Sequence, residues 1–312
     1  MTVDARDVRT APASGAAPEP APAALETVRA GALTTVQDLG RPGHAHLGVP
    51  RSGALDEAAH RLANRLLGNP EAAATLETTL TGCAVRALRP VRAVVTGAPC
   101  PVTVDGRPVP WGRPVRVPAG SVLDAGPAVH GVRTYLAFAG GVDVAPVLGS
   151  RATDLLSGLG PAPLGDGDVL PLGPPGPAPS PGTTGQPDAA PWQAPPRELV
   201  LPVVYGPRDD WFTAGALRTL TASSFRVSAA SNRIGLRTEG PALERVREGE
   251  LASEGMPLGA VQVPPEGRPL VFLADHPTTG GYPVVGVVPE PALWAAAQAV
   301  PGTPVRFTPA GR

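Results

Sequence analysis

Short apolar runs separated by Gly, Pro and Asp fill residues 74–172 and set the strongest limit on the fold. The clearest runs are 91–96, 102–104, 115–117 and 133–138, which are short and rich in β-branched or aromatic residues. Asp105-Gly106, between two of these runs, is a dipeptide typical of a two-residue hairpin turn. Several short strands at close spacing predict a barrel or a sandwich, and not a sheet that alternates with helices.

The stretch 34–56 is unusually rich in glycine, proline and polar residues. Its glycines Gly40, Gly43, Gly48 and Gly53 can take a positive φ or let another backbone approach closely. Two interpretations stay open. The stretch is either a long surface connection that satisfies its own polar groups, or a loop whose side chains bind a ligand.

Three helices are predicted among the strands. The first starts with Ser52 as its N-cap and stops at residues 68–70, Gly-Asn-Pro. The second covers 209–220, with apolar residues spaced for one buried face, and the third covers 291–300. The chain is therefore expected to be mainly β with a few helices.

A second polar cluster lies between two apolar runs near the C-terminus, 270–274 and 284–288, which are predicted to be central strands. In the loop that joins them, Gly280 and Gly281 are expected to take a positive φ or to permit close approach. Backbone N–H groups of this glycine-rich loop, with nearby hydroxyl and guanidinium groups, would suit a carboxylate or a phosphoryl oxygen.

All 26 basic residues are arginines, so the chain contains no lysine. A P-loop lysine, a Schiff base and a biotinylated lysine are therefore excluded on this polypeptide. Arginine stays protonated at neutral pH, so these side chains can hold a carboxylate or a phosphate but cannot accept a proton. Proton transfer is left to five histidines and the carboxylates.

The 26 basic and 27 acidic residues nearly cancel, which gives no electrostatic reason to expect nucleic acid or a membrane surface as a partner. No apolar run reaches the length of a membrane span, and the N-terminus has no apolar signal region. We therefore expect a cytoplasmic protein. Cys83 and Cys100 are expected to be reduced core residues.

Composition also divides the chain. Residues 1–24 are mostly Ala, Pro and small polar residues and read as a disordered tail. Residues 173–197 form a linker or insertion that is dominated by Pro and Gly, and shortening it is expected to leave the melting temperature unchanged. Two β-rich domains, 25–172 and 198–312, remain.

No single catalytic signature is present: the sequence lacks a Gly-x-Ser-x-Gly elbow, a His-Glu-x-x-His motif and a Cys-x-x-Cys pair. His44 and His46 have no third ligand nearby, so a solvent-facing pair is favoured over zinc and no metal site is predicted. Asp275 and His276 are adjacent on an extended chain and point apart, which disfavours an acid–base dyad.

Several motifs together resemble one family. Residues 37–43 read QDLGRPG, 48–56 read GVPRSGALD, and 278–283 read TTGGYP. With further matches at 139–154 and 233–241, they resemble the allophanate hydrolase subunit 2 family, also described as KipA-like, as carboxyltransferase subdomains A and B, and as the C subunit of 5-oxoprolinase. His276-Pro277 departs from the Arg-Gln pair that many members carry.

The resemblance implies two cyclophilin-like, β-barrel-like domains and a chain that works with companions. Those implied partners are a KipI-like protein, which carries carboxyltransferase subdomains C and D, and a LamB/YcsF-type subunit. ATP would act in the complex, and biotin, if used, would be carried on another chain. The preferred function is that of the C subunit of an ATP-dependent 5-oxoprolinase, which converts 5-oxoproline, a small amide, to glutamate. The alternatives are a subunit of a biotin-dependent urea carboxylase or allophanate hydrolase system, and a non-catalytic regulator of the KipI-like partner.

The candidate site residues come from the loops that carry these motifs. Catalytic candidates are Asp275, His276 and Tyr282. The candidates for binding a substrate or an anion are Gln37, Asp38, Arg41, Arg151, Arg233, Arg237, Glu254, Gln262, Thr278, Thr279, Gly280 and Gly281. For Arg151, an ion pair with a neighbouring carboxylate is an equal alternative.

Overall fold

The computed structural model describes residues 22–177, 189–191, 197–247, 249 and 251–310. Its first half contains two antiparallel sheets, of six and five strands, which enclose one apolar core. The strand order is β11-β1-β4-β9-β6-β7 in the larger sheet and β2-β3-β10-β5-β8 in the smaller one. The strands are β1 (Ala23–Arg29), β2 (Thr34–Gln37), β3 (Thr75–Thr79), β4 (Cys83–Ala87), β5 (Val91–Gly97), β6 (Val102–Val104), β7 (Arg107–Pro108), β8 (Val115–Val117), β9 (Val122–Ala125), β10 (Arg133–Phe138) and β11 (Val169–Pro171).

The second half is a closed seven-stranded barrel in the order β12-β19-β16-β17-β14-β13-β20, and a small two-stranded sheet, β15-β18, lies beside it. The barrel has its own apolar core, which also takes in Leu55 from the first half. The strands are β12 (Leu199–Tyr205), β13 (Phe225–Val227), β14 (Gly235–Glu239), β15 (Glu254–Gly255), β16 (Ala260–Gln262), β17 (Leu270–Phe272), β18 (Thr279–Gly280), β19 (Val284–Val287) and β20 (Pro304–Pro309).

Three α-helices accompany the strands: α1 (Glu57–Leu67), α2 (Ala214–Ala222) and α3 (Glu290–Ala297). Helix α1 packs on the outer face of the five-stranded sheet, against β5 and β10. Short 3-10 turns cover Ala45–Leu47 and Asp209–Trp211. The mainly β fold with a few helices is confirmed. The sequence left the choice between a barrel and a sandwich open. In the structure the first half forms two facing sheets and the second half forms a barrel.

Two helix starts differ from the prediction. Ser52 is not the N-cap of α1, because Asp56 caps it by accepting a hydrogen bond from the Ala59 N–H at 3.0 Å. The helix predicted from residue 209 begins only at Ala214, since Phe212 is extended and the Thr213 hydroxyl caps the Ala216 N–H. Both differences arise because a nearer polar side chain satisfies the first free N–H groups.

The predicted tail and linker fall largely outside the described residues. Residues 1–21, 178–188 and 192–196 are not described, whereas β1 already begins at Ala23, inside the predicted tail. The domain limits stay predictions. Cys83 and Cys100 are buried free thiols, as predicted, and burial raises their pKa to about 12 and about 11. No helix in the described part of the chain is long and apolar enough to cross a membrane.

Candidate functional site

The guanidinium of Arg233 joins the two halves of the chain. Its Nε and Nη2 donate to the two carboxylate oxygens of Asp275, at 2.8 and 2.9 Å, in the bidentate geometry that arginine favours. Its Nη1 donates to Oε1 of Glu77 at 2.5 Å, and Nη2 also reaches the Gly53 carbonyl at 2.7 Å. Arg233 and Asp275 belong to the barrel half, Glu77 lies on β3, and Gly53 lies in the stretch 34–56.

These three charges lie almost completely out of water, with side chains no more than 1% exposed. Burial acts to lower the pKa of Arg233, but Asp275 and Glu77 outweigh it and hold that pKa above its ordinary value. Burial likewise acts to raise the pKa of Glu77, and Arg233 with Arg133 reverses the effect. Both shifts favour the charged forms of Arg233 and Glu77. A buried ion pair of this kind tolerates the loss of neither partner.

The second oxygen of Glu77 anchors the start of α1. It accepts the Leu55 N–H at 3.0 Å and the Tyr135 hydroxyl at 2.8 Å. The Tyr135 oxygen in turn accepts the N–H of Asp56, the N-cap residue, at 2.8 Å. We call the group Ser52, Glu77, Arg233 and Asp275 the buried ion cluster. It ties the end of the stretch 34–56 to both halves.

Ser52 completes this cluster in a strained conformation. Its φ is +54°, in the left-handed region that residues with a Cβ rarely adopt, and the residue is buried. The Ser52 hydroxyl lies 2.8 Å from Oδ1 of Asp275 and 3.0 Å from the Thr153 carbonyl, and its N–H donates to the Ala274 carbonyl at 3.0 Å. The Leu155 N–H approaches Oδ2 of Asp275 at 3.3 Å. The strain is offset by contacts on both sides of the residue.

Asp38 organises the stretch 34–56 against the segment 150–155. Its carboxylate accepts the Gly40 N–H at 2.8 Å, the Ser150 hydroxyl at 2.6 Å and the Arg151 N–H at 2.6 Å. Gly40 and Gly53 both have the positive φ that was expected. A Cβ on Gly53 would lie 2.8 Å from the Gly40 nitrogen, so the close crossing of the two segments requires glycine.

Gln37 and Arg41 place unsatisfied polar atoms beside the same segment. Nη2 of Arg41 donates to the Ala152 carbonyl and Nε to the Val147 carbonyl at 3.3 Å, while the buried Nη1 has no partner in the described part of the chain. Nε2 of Gln37 donates to the Thr153 carbonyl at 3.0 Å, while its Oε1 and the Thr153 hydroxyl have no partner among the described residues. Buried polar atoms are normally paired, so this group is suited to a water or to polar atoms of a ligand.

The charge of Arg41 is set by opposing effects. Burial lowers its pKa, and Asp154, Asp38 and Asp275 each act in the opposite direction. A guanidinium remains protonated at neutral pH even so. Arg41 therefore presents one cationic NH2 group, Nη1, that has no partner among the described residues. We call Gln37, Arg41 and Thr153 the open polar group.

The remaining predicted arginines do not join these residues. Arg151 pairs with Asp143 at 2.6 Å, the alternative that the sequence left open, and its side chain is about one-third exposed. Arg237 is exposed on β14, and its backbone bonds Ser228 and Ser231. Of the three predicted sites at 151, 233 and 237, only Arg233 is in the buried ion cluster.

The loop 275–283 brings together a second set of the predicted residues. Thr279 and Gly280 form β18, which pairs with Glu254 and Gly255 of β15. The Glu254 carboxylate is held by both Nε, at 3.0 Å, and Nη2 of Arg208, and Arg208 lowers the pKa of Glu254. Glu254 is therefore an ion-pair partner in a hairpin and does not lie in the buried ion cluster.

The two glycines of this loop do not have the expected backbone conformation. Neither Gly280 nor Gly281 has a positive φ. Close approach is the reason for glycine here, since a Cβ would lie 2.9 Å from Nε2 of Gln262 at Gly280 and 3.0 Å from the Leu251 carbonyl at Gly281. Nε2 of Gln262 donates weakly to the Tyr282 carbonyl at 3.4 Å, and the Thr278 carbonyl accepts the Met256 N–H at 2.9 Å.

His276 does not form a dyad with Asp275, whose carboxylate is occupied by Arg233. Its Nδ1 lies 2.8 Å from the Pro277 carbonyl, and its ring packs against Phe272 at 5.8 Å between centroids. A carbonyl only accepts, so Nδ1 carries the proton and Nε2 keeps its lone pair. Burial lowers the pKa of His276, which favours this neutral form.

Sequence reasoning missed Glu77, Tyr135 and the bond from Ser52 to Asp275. A signal for Glu77 exists, because a lone carboxylate inside the buried strand TLETT requires a cationic partner. The identity of that partner has no local signal. Among the described residues, no group of three or more His, Cys, Asp and Glu is placed to hold a metal ion.

Two facing sheets followed by a closed barrel, joined through a buried arginine, define a carboxyltransferase-type domain, as the comparisons with known proteins show. The family described as "Carboxyltransferase domain, subdomain A and B" matches residues 47–309, and the chain belongs to this family. It is 38% identical over 289 residues to the C subunit of 5-oxoprolinase from Escherichia coli (strain K12), covering 91% of this chain and 90% of the relative. It is 33% identical to urea amidolyase of Saccharomyces cerevisiae, covering 92% of this chain and 17% of the relative.

Solved structures give the same result. The crystal structure of TTHA0988 superposes with a TM-score of 0.82 at 40% identity, covering 92% of this chain and 56% of that one. The K. lactis urea amidolyase superposes with a TM-score of 0.85 at 30% identity, covering 94% of this chain and 19% of that one. The chain thus spans little more than half of TTHA0988 and less than a fifth of the urea amidolyase.

Proposed function

We propose that this chain is a subunit of a 5-oxoprolinase, a hydrolase that opens the cyclic amide 5-oxoproline to glutamate. One observation carries the proposal: the 38% identity to the C subunit of a 5-oxoprolinase extends over about nine-tenths of both chains. A second relative named as the C subunit of a 5-oxoprolinase, from Haemophilus influenzae, is 32% identical, and the match covers 88% of this chain and 87% of the relative. The urea amidolyase relatives are similar only over a small part of their length.

The open polar group is the proposed substrate contact. 5-Oxoproline carries one carboxylate and one lactam N–H. The unpaired Nη1 of Arg41 is a donor for a carboxylate oxygen, and the unpaired Oε1 of Gln37 is an acceptor for an N–H. The Thr153 hydroxyl can either donate to the carboxylate or accept the lactam N–H. In this proposal the buried ion cluster positions the segment 152–155, and does not itself touch the substrate.

ATP, in this proposal, is bound by the complex. Within the site, every nitrogen of the Arg233 guanidinium donates to a carboxylate or a carbonyl, and Arg41 offers the two N–H donors of its Nη1. Two donors on a single nitrogen do not match the several donors that cradle a triphosphate, so these residues do not fit ATP. We therefore assign no step through ATP to this site, and propose that its phosphates are held elsewhere in the complex.

The proposed companions are a KipI-like subunit and a LamB/YcsF-type subunit in the cytoplasm. The relatives support a shared assembly, since two are named as a subunit and the urea amidolyases contain the matching region in a much longer chain. The same urea amidolyase similarity favours a second candidate function, the carboxyltransferase part of a urea carboxylase. Biotin would then have to be carried on another chain, because this one has no lysine.

Reconstitution tests the proposal. The purified chain is assayed for ATP-dependent glutamate release from 5-oxoproline, alone and after addition of the two companion proteins singly and together. We expect no turnover by the chain alone and turnover in the complete mixture. Activity of the isolated chain would overturn the shared site. Turnover of urea in the same mixture would favour the carboxyltransferase alternative, and tight binding without any activity would favour a regulator.

A further inference from the structure

A groove on the five-stranded sheet lies apart from the residues described above. It has a volume of about 430 Å³, within the range of small-molecule sites. The edge strand β8 and its neighbour β5 form part of its wall. Apolar residues line most of it, with three arginines among them: Val91, Val117 and Leu172 together with Arg89, Arg92 and Arg116.

Two of these arginines face each other across strands. Arg92 on β5 and Arg116 on β8 are direct partners in the antiparallel register. Side chains at such positions lie close together, and like charges there are destabilising. Within the described ranges, neither arginine has a carboxylate partner, and neither does Arg89. Three positively charged side chains therefore line one groove, and no carboxylate of the described residues pairs with them.

Two of the three arginines, Arg89 and Arg92, are also held in place by hydrogen bonds and have further donors to spare. Nη2 of Arg89 donates to the Leu172 carbonyl at 3.2 Å, and Nη2 of Arg92 donates to the Leu67 carbonyl at 3.1 Å. The Nε of Arg89 is buried and has no partner among the described residues. These carbonyl bonds orient the two guanidinium groups without pairing either of them with a carboxylate of the described residues. An arranged set of this kind is typical of carboxylate or phosphate recognition.

We propose that this groove binds a small organic dianion with an apolar body, either a dicarboxylate or a phosphate ester. The two negative groups would relieve the Arg92–Arg116 repulsion and engage Arg89. The apolar body would cover the exposed apolar lining, which consists of Pro90, Pro118, Ala119 and Pro175. The site shares no residue with the buried ion cluster or the open polar group, so it stands independently of the 5-oxoprolinase proposal.

Calorimetric titration of the full chain tests the site with four probes. Isophthalate and phenyl phosphate carry an apolar ring, whereas glutarate and inorganic phosphate do not. We expect saturable binding of at least one ring-bearing probe, about tenfold tighter than its ringless counterpart, because the floor is apolar. Preference for isophthalate would identify a dicarboxylate site, and preference for phenyl phosphate a phosphate-ester site.

Variants decide whether the arginines carry the binding. Arg92→Gln and Arg116→Gln should each weaken the bound probe by about tenfold or more. Arg107→Gln is the matched control, since Arg107 is exposed on β7, the edge strand of the other sheet. Arg116→Gln should also leave the melting temperature no lower, because it removes a like-charge pair. Arg116→Lys is a second variant in case Arg116→Gln fails to fold. It keeps the positive charge but lacks the planar guanidinium group of arginine.

Absence of saturable binding by every probe at roughly 10 mM would overturn the proposal. Equal binding by the wild type and both Gln variants would also overturn it. In either case the arginines would serve only to protect an exposed sheet edge from pairing with another chain.

Discussion

Nη1 of Arg233 lies 2.5 Å from Oε1 of Glu77, and these residues are 156 positions apart in the chain. The bond crosses from the loop before β14 to strand β3 in the other half of the chain. Glu77 also holds the N–H of Leu55, and Arg233 also holds the Gly53 carbonyl. This ion pair therefore helps to fix the stretch 34–56 between the sheets and the barrel, together with the hydrogen bonds of Asp38 and Ser52.

Glu77→Gln should destabilise the chain by about 3–5 kcal/mol, because it leaves Arg233 and Arg133 short of one buried counter-charge. Urea unfolding followed by circular dichroism measures the change. Glu198→Gln is the control, since Glu198 pairs with Arg306 on the surface. A surface pair is worth about 0–1 kcal/mol. Equal losses in the two variants would contradict the role assigned to Glu77.

Two replacements of Ser52 separate the effect of backbone strain on stability from the effect of the hydroxyl hydrogen bond. Ser52→Ala removes the hydroxyl near Asp275 and keeps a Cβ at a φ of +54°. Ser52→Gly removes the hydroxyl and also relieves the left-handed strain. Ser52→Gly should therefore be more stable than Ser52→Ala by about 1 kcal/mol. The same unfolding measurement decides, and a more stable Ala variant would show that the backbone is not strained there.

His60 predicts how stability changes with pH. Burial lowers its folded-state pKa from 6.5 to about 4, although Asp38, the Glu71 carbonyl and Glu77 oppose the effect and Arg61 adds to it. The unfolded chain thus takes up a proton near pH 6.5 that the folded chain takes up only near pH 4. Its contribution to stability is complete above pH 6.5 and decreases by up to about 1.4 kcal/mol per pH unit as the pH falls toward 4.

The measurement is the free energy of unfolding at pH 7 and at pH 5. His60→Gln should reduce the loss between these two values by about 2 kcal/mol, and should cost stability at pH 7 because His60 bonds Thr75 and the Glu71 carbonyl. His46→Gln, an exposed control, should change neither quantity. An unchanged pH dependence in His60→Gln would assign the loss to the carboxylates.

Arg41→Lys tests the open polar group in the reconstituted complex. A lysine keeps the charge but cannot hold the Val147 and Ala152 carbonyls while presenting a further N–H. We expect the KM for 5-oxoproline to rise about tenfold. Arg151→Lys is the matched control, because Arg151 pairs with Asp143. A fall in melting temperature without a change in KM would make Arg41 purely structural.

Predicted site residues divide into two groups in the structure. Gln37, Asp38 and Arg41 lie together against the segment 150–155, and Asp275 touches the same segment through Leu155. The residues of the hairpin formed by β15 and β18 make a separate set around the Arg208–Glu254 pair. The motifs marked these loops as candidates, but they could not tell which loops meet.

Local sequence determined the features that depend on neighbouring residues. The Asp105-Gly106 turn joins β6 to β7 with both residues at positive φ, and Gly40 and Gly53 take the predicted conformation, because glycine and turn chemistry act over a few residues. The motifs also determined the family. Because the sequence contains no lysine, none of its residues can carry biotin through a lysine side chain.

Tertiary structure alone decided the partners of the buried charges. A carboxylate in a buried strand indicates that it needs a cation, yet 26 arginines are available and only the docking of the barrel on the sheets selects Arg233 for Glu77. The same docking turned Ser52 from a predicted helix cap into a left-handed residue beside Asp275. Charge pairing acts through space, so its outcome is set by which segments meet and not by their own patterns.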